Sequence, residues 1–373
     1  MHTRSSRCSS LFSHSRLLVS GLALAAAACG GGDSTGPSSA PGFLAGTSDN
    51  HEIGIVVNST GKALTLFQLG SPTTQRQVAL GASSTITPTG TSVRGRRAAV
   101  PLGNAASVAV VDLENASIQR IFTFASGNAT GSAFADDTTI VAANTALGIV
   151  GKFTVGQTAD AITTTAPVAP QPTSVSVSAG RVLVVSSNLD SNFMPIGNGV
   201  VTILDAKTLQ PISSVTTGGT NATDGAVGPD GLFYVLNTGD YTSPGSMTIV
   251  DPSAAKVVTT IADVGVGPGA ISINANGLAY ISGFSFGTLV WDTKTRTFQR
   301  GPANPVCAKL AGGGCRGAFA AARSAGGDLY QLFFGSASQN LAPYAFVYKG
   351  SAYTLSDSVS VGSGPAAIAI RTF

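Results

Sequence analysis

Residues 51–373 predict an all-β fold, a seven-bladed β-propeller whose C-terminal strand completes the N-terminal blade. Three observations predict it. One strand pattern recurs seven times, no segment after Cys29 keeps a helical period over three turns, and the chain ends on what begins a repeat. Hydrophobic residues are 43% of the 373, ample for a large core. Charged residues are 10%, against about 25% in an average domain, so hydroxyls and amides must solvate the surface.

Residues 1–28 read as a signal peptide. Arg4, Arg7 and Arg16 precede an apolar run from Leu17 to Ala28 that is too short to cross a bilayer comfortably. The run closes with Leu24-Ala25-Ala26-Ala27-Ala28-Cys29-Gly30. This resembles the bacterial lipobox, with Ala26 where Leu is favoured. The resemblance implies diacylation of Cys29, whose acyl chains would suffice for stable anchoring. Cleavage after an Ala-x-Ala site, releasing a soluble secreted protein, is the alternative. Residues 29–50 then form a flexible Gly- and Ser-rich tether. Gly30 stands where some envelope lipoproteins carry a retention Asp, so an outer-membrane anchor, periplasmic or surface-facing, is expected.

Export also changes the charge. The formal net charge is +3, with 21 basic and 18 acidic residues. Removing Arg4, Arg7 and Arg16 leaves 21 − 3 = 18 of each sign. A nucleic-acid surface needs a concentrated basic face. The only cluster is Arg94, Arg96 and Arg97, which reads as a solvated turn, so no nucleic-acid partner is expected.

The repeat is clearest in its third strands. In chain order they are Ala63–Phe67, Val108–Asp112, Ile149–Phe153, Val201–Asp205, Met247–Asp251, Thr288–Asp292 and Ala345–Tyr348, ending roughly 41 to 56 residues apart. Turns between first and second strands agree. Gly228-Pro229-Asp230-Gly231 and Asn274-Ala275-Asn276-Gly277 carry hairpin signals, and Ala179-Gly180 and Gly326-Gly327 hold equivalent points. Second strands such as Leu232–Leu236 and Val182–Val185 are apolar throughout, as strands buried on both faces are. The folded part opens at Glu52–Val57 with a second strand lacking a first. Gly364–Arg371 is a first strand with nothing after it. Joining them closes the ring and removes two free edges.

Residues 222–265 resemble the YVTN-type β-propeller repeat. Phe233-Tyr234-Val235-Leu236-Asn237-Thr238-Gly239 stands where that family has Tyr-Val-Thr-Asn, and Met247–Asp251 and Val257–Ile261 match its next strands. The resemblance covers most of residues 52–373, good in blades four to six and loose in three and seven. It implies the fold strongly and a function weakly.

In a four-stranded blade, connections from second to third strand share a face with connections between blades. The longest insertions fall there: Asn188–Asn198, Thr238–Ser246, Pro302–Arg316 and Gly335–Pro343. Long loops on a rigid scaffold are where binding concentrates. Candidate contacts are Asp190, Asn192, Phe193, Met194, Asp240, Tyr241, Lys309 and Arg316. Cys307 and Cys315 form an even pair in a short loop of an exported chain, which argues for a disulfide over two free thiols. Asp112, Asp205, Asp251 and Asp292 end third strands on the opposite face, where Asp caps its own turn.

Catalytic chemistry is poorly supplied. After Cys29 one histidine remains, His51, and Glu52 and Glu114 are the only glutamates. A Ser-His-Asp triad, imidazole metal sites and a paired-Glu mechanism are all disfavoured. Asn188-Leu189-Asp190-Ser191-Asn192 spaces three oxygen ligands as calcium loops do, without the expected Gly and later Glu. The leading expectation is a non-enzymatic envelope lipoprotein without a cofactor, attached to the membrane through its lipid only. Its loop-rich face would be presented to a protein, peptide or glycan. The alternative is a lactonase-like or other hydrolase with an Asp/Asn metal site in the central channel.

Overall fold

The computed structural model describes Phe43 and residues 51–310, 312–335 and 341–373; the expected signal peptide over 1–28, Cys29 and all of the expected tether but Phe43 lie outside the described residues. Among the described residues, 28 strands form seven antiparallel four-stranded sheets arranged as a seven-bladed β-propeller. Blade 1 takes strands from both ends of the chain. From the axis outward it runs β28 (Pro365–Thr372), β1 (Glu52–Asn58), β2 (Ala63–Gln68) and β3 (Ser71–Ala79).

The other blades keep sequence order from the axis outward. Blade 2 is β4 (Ser92–Arg94), β5 (Arg97–Pro101), β6 (Ser107–Asp112) and β7 (Ser117–Thr123). Blade 3 is β8 (Ala129–Phe134), β9 (Thr139–Asn144), β10 (Ile149–Thr154) and β11 (Thr164–Pro167). Blade 4 is β12 (Pro172–Ser178), β13 (Arg181–Ser186), β14 (Asn198–Asp205) and β15 (Pro211–Thr220). Blade 5 is β16 (Ala222–Val227), β17 (Phe233–Asn237), β18 (Pro244–Asp251) and β19 (Lys256–Val266). Blade 6 is β20 (Pro268–Ile273), β21 (Leu278–Gly283), β22 (Gly287–Asp292) and β23 (Thr297–Arg300). Blade 7 is β24 (Ala321–Arg323), β25 (Leu329–Phe333), β26 (Tyr344–Lys349) and β27 (Thr354–Ser360). All seven expected third strands occupy third place.

The closure expected from the termini is present. β28 lies antiparallel to β1, with Val56 opposite Ile368 and Ile55 opposite Ala369. The Ser59 amide donates to the Gly364 carbonyl at 2.7 Å and extends the seam into the neighbouring loop. Glu52 ties blade 1 to blade 7, its Oε1 accepting the Ala325 amide at 2.6 Å.

Period-two alternation explains the packing. Along β1, Ile53, Ile55 and Val57 enter a buried cluster shared with blade 2, while Val56 enters one shared with blade 7. The same division recurs around the ring, giving seven apolar clusters, one at each junction between neighbouring blades. Second and third strands are therefore apolar on both faces, whereas fourth strands such as β3 are largely exposed and rich in Thr and Gln.

The Asp residues that end third strands behave as turn caps. Asp205 Oδ1 accepts the Lys207 and Thr208 amides, and Asp251 Oδ1 accepts those of Ser253 and Ala254. Asp112 and Asp292 repeat the arrangement. Bonds from Thr208 hold the Asp205 carboxyl below its ordinary value, and those from Ser253 do the same for Asp251. The Thr138 and Thr139 amides hold Asp136, in a first-to-second turn, at about 2.

Two outcomes follow. A chain lacking residues 365–373 leaves β1 with an open inner edge, and is expected to lose its cooperative unfolding transition in far-UV circular dichroism. Carboxyls depressed in the folded state add stability that is present above the unfolded value near 3.9 and lost as pH falls towards 2. The melting temperature should therefore drop between about pH 4 and pH 2, and Asp136→Ala should flatten that slope in thermal melts.

Candidate functional site

The topology gives the ring two unlike faces. Connections between first and second and between third and fourth strands form the turn face. Connections between second and third strands, together with those between blades, form the loop face. The turn face carries the Asp caps and the arginine cluster. Arg94 pairs with Asp137 at 2.8 Å, Arg96 pairs with Glu114, and Arg97 Nε donates to Gln119.

The loop face carries the exposed apolar side chains of the connections. Among the described residues, exposed large hydrophobic side chains lie either on fourth strands or on this face. On the loop face they are Leu147, then Phe193, Met194 and Ile196, then Tyr241, Phe284 and Leu310. Blade 3 carries the first, blade 4 the next three, blades 5 and 6 one each, and the blade 6–7 connection the last. They form an arc over consecutive blades.

Two of these residues have a left-handed backbone, as turn residues such as Leu209 and Tyr353 also do. Phe193 is 71% exposed with φ of 62°, and Tyr241 is 57% exposed with φ of 62°. A bulky residue in the left-handed region costs about 1–2 kcal/mol, and Asn or Gly would avoid most of that cost. Each follows an Asp that organises its loop. Asp190 Oδ1 accepts the Asn192 and Met194 amides at 2.8 and 2.9 Å. Asp240 Oδ1 accepts the Thr242 and Ser243 amides, and the bonds from Ser243 and Thr242 hold its carboxyl at about 2. Equivalent connections of neighbouring blades thus present an aromatic ring to solvent from a strained position.

The remaining candidates divide. Asn192 and Met194 are exposed beside Phe193. Cys307 and Cys315 are disulfide-bonded with Cα atoms 5.5 Å apart, and Lys309 Nζ lies 3.5 Å from Cys315 Sγ. Arg316 turns inward, its guanidinium over Phe333 at 5.1 Å and Phe346 at 5.7 Å, where it braces the loop.

At the centre of the ring is a cavity of about 810 Å³ walled by the seven innermost strands. Hydroxyls of this wall and of the loops beside it link successive blades. Thr89 Oγ1 donates to Thr130 O at 2.5 Å, Thr130 to Pro172 O at 3.0 Å and Thr173 to Ala222 O at 3.4 Å. Thr238 donates to Pro268 O at 2.7 Å and Ser272 to Ala321 O at 2.6 Å.

One carboxylate faces this cavity. Asp224 on β16 spans three blades: Oδ1 accepts Ser174 Oγ of blade 4 and the Gly225 amide, each at 2.8 Å, and Oδ2 accepts the Ile271 amide of blade 6 at 2.9 Å. Burial pushes its carboxyl up, opposed by these three bonds. Sequence reasoning missed it, although aligning Thr223-Asp224-Gly225 with Thr173-Ser174-Val175 marks an acid where another blade has Ser. Among the described residues, no three His, Cys, Asp or Glu side chains come together as a metal-ligating group.

No protein-family model matches the chain, and no curated protein matches it. Among solved structures, it is similar to Kuenenia stuttgartiensis hydrazine synthase, with a TM-score of 0.61 and 11% identity over 79% of this chain and 97% of that one. It is also similar to a functionally unknown protein from Desulfotomaculum acetoxidans DSM 771, with a TM-score of 0.62 and 16% identity over 86% of this chain and 99% of that one. At such identities the likeness shows the fold alone.

Asp224→Ala frees two amides and a hydroxyl at the blade 4–5–6 junction. It is expected to lower unfolding free energy by about 2–4 kcal/mol, read from a denaturant titration.

Proposed function

We propose that the protein is a non-enzymatic lipoprotein of the cell envelope, anchored through acylated Cys29, whose propeller presents its loop face to a partner protein or peptide. The observation that carries this reading is the pair of solvent-facing aromatics, Phe193 and Tyr241, held in left-handed backbone conformations within an arc of exposed apolar side chains. Among large apolar residues with left-handed φ, Leu209 and Tyr353 bury their side chains in turns, whereas Phe193 and Tyr241 expose theirs, and aromatic anchors dominate interface energetics. Leu147, Met194, Ile196 and Leu310 offer aliphatic surface, which suits a polypeptide better than a glycan.

The attachment of the tether agrees. The Phe43 side chain is buried in the cluster between blades 1 and 2, and its amide donates to the Glu114 carbonyl at 2.6 Å. Glu114 belongs to a third-to-fourth turn, so Phe43 is held on the turn face, away from the loop face. Kinship with YVTN-type repeats rests on residues 233–239 and the two strands after them, and it adds no activity. The hydrolase alternative has less support, because among the described residues Asp224 is the only carboxylate on the cavity wall and its oxygens already serve three protein donors.

The double variant Phe193→Asn, Tyr241→Asn separates stability from binding. Relief of the left-handed strain should leave the melting temperature unchanged or raised. Pull-downs from envelope extract should show a specific partner with the wild-type protein and at least tenfold less of it with the variant. Turnover of a small substrate, with no partner retrieved by the wild-type protein, would contradict the reading.

A further inference from the structure

The central cavity offers a second surface that shares Phe284 with the rim, and its wall is divided by chemistry. Its mouth on the loop face has one aromatic side. Phe284 comes from the β21–β22 connection, Phe319 precedes β24, and Phe334 follows β25. Phe284 meets Phe319 edge-on with centroids 4.4 Å apart, and Phe319 stacks on Phe334 at 4.5 Å. Phe284 remains 49% exposed, so part of the ring is free. The ring lies beside Gly269 on β20, where a Cβ would make only ordinary contact with it at 3.7 Å.

The rest of the wall is polar but nearly uncharged. Blades 2 to 5 contribute hydroxyls from Thr89, Ser132, Thr173, Ser176 and Thr223. Each innermost strand pairs on one side only, so its other edge adds those backbone amides and carbonyls that the inter-blade bonds leave unpaired. The charged residues on the wall are Asp224 and Arg371. They lie at different depths, Asp224 third along β16 and Arg371 seventh along β28. Innermost strands run from the loop face to the turn face, so Arg371 stands at the far end from the aromatic mouth.

We propose that this cavity binds a neutral oligosaccharide of two or three rings, which enters from the loop face and lays one sugar ring against Phe284. A sugar presents an apolar C–H face and a rim of hydroxyls that both donate and accept, matching an aromatic side opposite hydroxyls and free strand edges. The volume, about 810 Å³, falls within the roughly 300–1,000 Å³ of small-molecule sites. An anionic ligand would want a cation at the mouth, and Arg371 is at the other end. A cationic ligand would compete for Asp224 with Ser174, Gly225 and Ile271, which already occupy its oxygens. The hydroxyls of Thr89, Thr173 and Ser176 donate to backbone carbonyls and keep lone pairs that accept from ligand hydroxyls, which a wholly apolar ligand would leave unused.

The test titrates the mature protein with maltotriose, cellotriose and triacetylchitotriose by calorimetry, with saturation-transfer NMR reporting contact. At least one should bind, at least tenfold more weakly to Phe284→Ala and undetectably to Ala366→Trp. Ala366 lies on the cavity wall outside the inter-blade clusters, so the indole plugs the opening. Circular dichroism checks that both variants fold. If the plug variant does not, Phe284→Ala, altered at a half-exposed loop position, decides alone. Phe193→Asn, Tyr241→Asn should bind the sugar as the wild type does, so this site and the rim can fail separately. Three results would overturn the proposal: no binding by any of the three sugars, binding indifferent to Phe284→Ala, or binding of benzyltrimethylammonium instead, dependent on Asp224.

Discussion

Between Glu52 and Asn58 the first strand of the ring is paired on its inner side by the last strand of the chain, from Pro365 to Thr372. Each blade buries its two faces against two neighbours, so none has a complete core alone. A ring with six junctions would leave the apolar faces of blades 1 and 7 in water. The seam places Val56 and Ile370 in the blade 7–1 cluster, and Ala367 and Ala369 against the blade 1–2 cluster, so closure supplies residues to both junctions of blade 1. The inter-blade hydroxyl bonds and the Asp224 bridge add polar ties nearer the axis, where innermost strands have no second sheet partner.

A rigid ring of this kind separates its two faces by connectivity alone. Hairpin turns need caps, so Asp and Asn collect where strands turn tightly. Longer excursions are free to vary, and they share the other face. In this chain the faces also differ in their exposed groups: ion pairs and the Asp caps of third strands stand on the turn face, and exposed aromatic and aliphatic groups on the loop face. The strained aromatics at 193 and 241 fit a protein that gives up some stability for an interaction surface.

Much of the architecture was legible before any coordinates. Strands such as Val182–Val185 and Phe233–Leu236 are apolar at consecutive positions because both faces meet another blade, and that pattern is visible locally. The terminal seam was legible because Gly364–Ile370 repeats the form of Gly267–Ile273 with no second strand behind it. The disulfide followed from two cysteines in one short loop. The loop face was legible as a set of insertions, and Phe193 and Tyr241 were named there without their backbone strain, which depends on how Asp190 and Asp240 fold each loop. The cavity was not legible. Phe284, Phe319 and Phe334 meet only because three connections converge, and Asp224 acquires its role only when the neighbouring blades supply Ser174 and Ile271. Arg316 looked like a contact residue because a cation on a long loop suggests exposure, whereas aromatic rings of blade 7 draw its guanidinium inward.

The most direct test of a ring closed by its own ends is native-state amide hydrogen exchange, resolved for residues 53–57 and 366–371. If the seam is a structural junction, alternate amides of both segments exchange in the slowest class, with the same opening free energy as the second strands of blades 4 and 5. Exchange of the C-terminal segment at rates near those of an unstructured peptide, with the 53–57 segment still protected, would contradict the account.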